Sequence, residues 1–187
     1  MAADRDYFID VFEEIVAAVR LEYDTVNNLE PYFTYGHPRE IANKLSLKDQ
    51  NAVDKFRKWP LIALITDLEQ NFNDDPNIYY ELSPFTVLIV VNTIKTYTSE
   101  ERTVNTLKPI LYPIKKLLIE KIIESKAIYA PRQKIKYKQI DKYGWGNETV
   151  YGNTGLIFNS FLDAIEITPS EIKVYPNQYE CSTIKPA

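Results

Sequence analysis

One histidine and one cysteine limit the chemistry open to this chain. His37 stands in Gly-His-Pro, a turn context. No nucleophile or orienting partner accompanies it, as a general base would need. Metal sites built on paired histidines are excluded. Cys181 has neither a C-x-x-C neighbour nor papain-like surroundings, and it cannot form an internal disulfide. The carboxylate pairs Glu13–Glu14, Asp74–Asp75 and Glu100–Glu101 are adjacent in sequence. Adjacent helical positions do not face each other, so no pair reads as a glycosidase or two-metal site. No catalytic residue, cofactor or metal ligand is assigned.

Two further stretches test for ligand chemistry. YGWGNETVYGNTG, from Tyr143 to Gly155, holds four of the five glycines. A Walker A loop needs a Lys and a hydroxyl directly after its last glycine, to hold phosphate and magnesium. Neither that pattern nor G-x-G-x-x-G is present. The residues suit tight turns that accept positive φ. The stretch therefore reads as a Gly-rich hairpin arm, with Tyr143, Trp145 and Tyr151 as assembly contacts. RQKIKYKQIDK (132–142) alternates lysines with Ile135 and Tyr137. Lysines on phosphates beside an aromatic would make a nucleic-acid groove. The same pattern also suits an edge strand guarded by lysines against aggregation.

The elements that position these residues follow from hydrophobic periodicity. Phe8, Val11, Phe12, Ile15, Val16 and Val19 line one face of a helix ending near residues 21–23. Residues 24–58 read as a long irregular interaction loop with two short helical patterns, offering Tyr32 and Tyr35 as contacts. WPLIALITDL (59–68) reads as a buried strand. YYELSPFTVLIVVNTI (79–94) follows, its run Phe85–Val91 fitting a strand covered on both faces. Thr98 and Glu101 match a capping box. Leu107, Ile110, Leu111, Ile114, Leu117, Leu118 and Ile122 form a second stripe. Pro109 and Pro113 within it predict a break near 108 and a main helix over 110–125, since an interior proline costs about 3 kcal/mol. Strands over 133–141, 157–167 and 171–175 complete the chain before a loose tail, 176–187. Strands grouped between and after two helices predict an α+β fold. It is read as one domain, a largely antiparallel sheet with two main helices packed on one face.

At 187 residues, such a domain buries enough surface to need no metal or disulfide. The 14 tyrosines suit a protein rich in interfaces. The net charge of −4 hides a polarity: 9 basic against 17 acidic residues in 1–100 give −8, and 13 against 9 in 101–187 give +4. Such a subunit suits a neighbour of opposite local charge. The acidic, amphipathic MAADRDYFIDVFEEIV lacks the regions of a signal peptide. The longest apolar run, Val87–Val91, is far short of the ~20 residues that span a bilayer. A soluble protein with no membrane partner is expected. The lone cysteine fits a reducing compartment or a cell-free particle.

EERTVNTLKPILYPIKKLLIEKI, together with TYGHPREIANKL, WPLIALITDL and YGNTGLIFNSFLDAIEI, resembles proteins of tailed bacteriophages. The element order is similar to the tail-completion or tail-terminator fold, with neck ring proteins of crAss-like phages a specific possibility. The resemblance covers about residues 5–175. It implies no enzyme and no cofactor, but a virion structural protein forming a homo-oligomeric ring, six- or twelvefold. That ring would sit at the head–tail junction, stacked on neighbouring neck, portal or tail rings. DNA would pass through its channel without specific binding. The alternative from the residues alone is a nucleic-acid-binding module using the Lys-rich strand 132–142.

Overall fold

The computed structural model describes residues 5–27, 29–51, 57–65, 70–71, 80–82, 85–143, 161–170 and 172–175. Side-chain alternation along its strands decides the architecture. In β2 (Leu61–Ile65) every residue is buried, and successive side chains enter two different cores. Ile62 and Leu64 go to one face, and Leu61, Ala63 and Ile65 to the other. β5 (Thr86–Asn92) behaves alike: Val87, Ile89 and Val91 against Leu88 and Val90. The continuous apolar run is thus a strand covered on both faces, as its composition predicts.

With β1 (Tyr32–Gly36), β7 (Ile135–Tyr143) and β8 (Leu162–Pro169), these strands form a sheet in the order β1-β2-β5-β8-β7. Only the β1–β2 pair is parallel. A second, antiparallel sheet takes β3 (Gln70–Asn71), β4 (Tyr80–Leu82), β9 (Ile172–Val174) and β6 (Ile128–Tyr129) in the order β3-β4-β9-β6. The two sheets are linked by register. Partners keep one antiparallel register from Tyr80↔Val174 to Asn92↔Leu162. Among the described residues, β4–β9 and β5–β8 thus form one ribbon of common register shared by the two sheets. β2 and β3 flank it on one side, and β7 and β6 on the other. The YYELSPFTVLIVVNTI segment is accordingly two strands in two sheets.

The larger core lies between these sheets and two helices. α1 (Arg5–Asn27) buries Phe8, Val11, Phe12, Ile15, Val16 and Val19, its expected apolar face, and adds Ile9 and Tyr23. Phe12 packs edge-on to Phe85 with centroids 5.9 Å apart and lies 6.0 Å from both Phe8 and Phe33. Leu107, Leu111, Ile114, Leu118 and Ile122 of the second helix enter the same core, as do Ile128, Ile172 and Val174 from the second sheet.

The second helix does not break at its prolines. α3 (Ser99–Arg102), a π-helical segment (Thr103–Leu111) and α4 (Tyr112–Glu124) run on without a cap between them. A proline ring clashes with the carbonyl four residues back, and the wider π turn relieves that crowding at Pro109. The Tyr112 N–H reaches back five residues, to the Leu107 carbonyl. Pro113 has no N–H for the Pro109 carbonyl, and the buried Tyr23 hydroxyl donates to that oxygen instead, at 3.4 Å. At the N-terminus the expected capping box is present. The Glu101 N–H donates to Thr98 Oγ1 at 3.2 Å, and the Thr98 N–H to Glu101 Oε2 at 2.8 Å.

Residues 24–58 are not an irregular loop throughout. α1 extends to Asn27, β1 follows, and α2 spans Pro38–Gln50. Gly36 takes φ +136°, with the Glu40 carboxylate 2.8 Å from where a Cβ would stand, so only glycine fits. His37 caps α2: its Nδ1 accepts the Arg39 N–H at 3.2 Å, while Glu40 accepts the His37 N–H at 3.2 Å. Pro38 then occupies the first turn, where its missing donor costs nothing. α2 places Ile41 and Leu45 on the opposite face of the five-stranded sheet from α1 and α4. The protein is therefore an α+β fold with a largely antiparallel sheet. Two main helices share one face, and a third covers the other.

Candidate assembly surfaces

The contact residues expected from sequence separate into distinct environments. Tyr143 closes β7 and is buried (8% exposed) in the smaller core with Leu162 and Ala164. It is a core residue rather than part of an exposed arm. A β-bulge puts it there. Ile140 pairs with Ala164 but Tyr143 with Leu162, so β7 spends one extra residue. That single residue turns Tyr143 from the α4 face, where Tyr137 and Gln139 lie, to the α2 face. Lys142 inside the bulge adopts φ 57°, a left-handed conformation costing about 1–2 kcal/mol for a residue with a side chain.

The bulge is held by the fully buried Asp163 (0% exposed). Its Oδ1 accepts the Lys142 N–H at 3.1 Å, and its Oδ2 lies 3.1 Å from the Thr106 hydroxyl. Thr106, in the π segment, also reaches the Arg102 carbonyl at 2.6 Å. A buried carboxylate needs such donors to offset its desolvation. Asp163 escaped the sequence reading because it alternates in phase with the core residues Ile165 and Ile167, and its partners come from segments distant in the chain. Trp145 and Tyr151, the rest of the arm 143–155 and the tail 176–187 lie outside the described residues.

Tyr32 and Tyr35 sit on β1, at one end of the sheet order. Tyr32 packs at the margin of the smaller core, with Lys48 Nζ 3.8 Å from its ring centroid. Tyr35 is 39% exposed. Lys44 donates to its carbonyl at 3.0 Å and lies 5.0 Å from its ring. Cation–π contacts of this kind contribute about 0.5–1 kcal/mol at exposed sites. Nearby, Lys58 is buried beside Trp59 and pairs with Asp49 of α2.

At the other end of the order, β7 exposes Lys136, Tyr137 and Lys138. Tyr137 and Gln139 face α4. The Tyr112 hydroxyl donates to Gln139 Oε1 at 2.8 Å, and Lys115 Nζ sits 4.0 Å from the Tyr137 ring and 5.1 Å from that of Tyr112. Lys136 and Lys138 alternate to the opposite face, where Ile140 meets the smaller core and Lys138 stands across from Glu166. The strand lysines and Tyr137 therefore do not line one groove. Sequence reasoning saw the strand but missed its partners on α4, which only tertiary packing brings beside Tyr137.

Among the described residues, no cluster of His, Cys, Asp or Glu could hold a metal, and no helix is long and apolar enough to cross a membrane. Comparison of the chain with protein-family models and with curated proteins finds no match.

Proposed function

We propose that this chain is a virion structural protein of a tailed bacteriophage. It forms a homo-oligomeric ring at the head–tail junction, as a neck or tail-terminator component around the DNA channel, with neighbouring neck, portal or tail rings as partners. The observation that carries this reading is the polarity of the subunit. Among the described strands the five-stranded sheet ends in two unlike edges. β1 has five residues, pairs in parallel and is flanked by α2. β7 has nine, pairs antiparallel and lies beside α4. Unlike ends suit a head-to-tail contact between copies, and such a contact closes into a ring when its rotation permits. The resemblance of the sequence to tail-completion proteins selects the ring.

Native mass spectrometry over a concentration series, with negative-stain imaging of the large species, tests the proposal. Closed rings of one stoichiometry are expected. Open filaments, or a strict monomer, would sink it.

One observation favours a second reading: Arg132, Lys134, Lys136 and Lys138 are all exposed. Duplex binding that weakens by about one log unit per tenfold salt for each phosphate contacted would support a nucleic-acid module instead.

A further inference from the structure

We propose that the patch made by Lys108, Tyr112, Lys115, Lys116 and Tyr137 receives the exposed face of α1 from a second copy of the chain. The inference rests on the ring reading and names its contact.

On the receiving side, Tyr112, Lys115 and Lys116 share one face of α4, with Lys108 a turn earlier. Tyr137 is 57% exposed, an apolar surface large enough to anchor a contact. Lys115 is already ordered against two rings, so docking immobilises little that is free. Of the acids beside the patch, Asp141 is engaged by Gln139 Nε2 at 2.9 Å, and Glu120 stands one turn beyond Lys116 on α4.

On the inserting side, Asp10, Glu13 and Glu14 stand at i, i+3, i+4 on the outer face of α1, all exposed. The same stripe continues into exposed Ala17, Ala18 and Leu21, the last 76% exposed. It is acidic at one end and apolar at the other, while the patch offers ammonium groups beside tyrosine rings. Glu22 lies off this stripe and is already paired, with Lys121 at 3.1 Å.

Geometry makes the contact intermolecular. α1 packs against α4 on one flank and reaches β1 through Phe33 and the Arg20 bond to the Pro31 carbonyl. α4 lies over β7. The acidic stripe lies on the outer face of α1, opposite its buried residues, and the basic patch on the flank of α4 that meets β7. Within one subunit α1 meets the other flank of α4, where Lys121 pairs with Glu22, so the α1 that the patch receives is a neighbour's.

Sedimentation velocity on the full chain tests this with two charge-reversed variants, D10K/E13K and K108E/K116E, at low and high salt. All four positions are exposed, and matching thermal melts confirm folding. Each variant alone is expected to weaken association by about 100-fold, because like charges then meet. An equimolar mixture should restore assembly through the one interface where the reversed charges match. If wild type assembles and both variants match it, this contact is wrong while the ring reading stands. If wild type stays monomeric at every concentration, both fall. If K108E/K116E assembles normally but loses binding to a DNA duplex, the patch takes nucleic acid and not a second copy.

Discussion

The two faces of the five-stranded sheet are covered by different means. On one, α1 and the long second helix bring aromatic rings and long aliphatic side chains onto β-branched strand residues, and the second sheet closes the same core. On the other, α2 contributes two buried side chains, Ile41 and Leu45, over a surface that includes the small Ala63 and Ala164. The first face is a broad core assembled from distant segments. The second is narrow, and a histidine cap and a β-bulge set its margins. Breadth of burial thus separates the faces, while local backbone devices serve both: the π turn at Pro109 on the first, the histidine cap on the second.

The largest expected effect tests that division directly. Phe12→Ala removes a fully buried ring from the Phe8, Phe33 and Phe85 cluster. It should cost about 3–5 kcal/mol, and Leu45→Ala about 2–3 kcal/mol, both read by urea denaturation. A greater loss at Leu45 would break the comparison and make α2 the dominant support.

Thr106→Val comes next and probes the buried link to the bulge. It keeps the side chain's shape but removes a hydroxyl from Asp163, for an expected loss of about 1–2 kcal/mol. Hydrogen exchange at the Lys142 amide should quicken with it. Unchanged stability and exchange would mean that the bulge holds Tyr143 in place without the hydroxyl.

The smallest effect sits where the second helix passes its prolines. Tyr23→Phe removes the donor to the Pro109 carbonyl and should cost about 0.5 kcal/mol at neutral pH. Burial raises the Tyr23 phenol above its ordinary pKa. The folded state therefore keeps its proton where the unfolded chain has lost it. That contribution is complete below about pH 10 and declines as pH rises through the folded value. Urea midpoints measured from neutral to strongly alkaline pH should fall less steeply in the variant. An identical alkaline slope would show that Tyr23 ionises as freely folded as unfolded.

The ease of reading the sequence differed between the faces as their construction does. α1, the doubly buried β5 and the Thr98–Glu101 cap were legible, because each is written in contiguous residues at a fixed period. The α2 face was not. β1 is a strand because β2 pairs with it in parallel from 29 residues onward in the chain, Tyr32 against Leu61. Pro38 and His37 read as a turn, yet together they start a helix. Pro109 and Pro113 argued for a break that a π turn and a distant tyrosine hydroxyl remove.

By itself, then, the sequence determined the class of fold, the large core and the polarity of charge, since periodicity and composition act through near neighbours along the chain. Only the tertiary structure decided which face each aromatic joins. One extra residue at a bulge sends Tyr143 inward, while the packing of α4 over β7 leaves Tyr137 outward beside Lys115. Such choices depend on strand register, and register is a relation between segments that no single stretch of sequence contains.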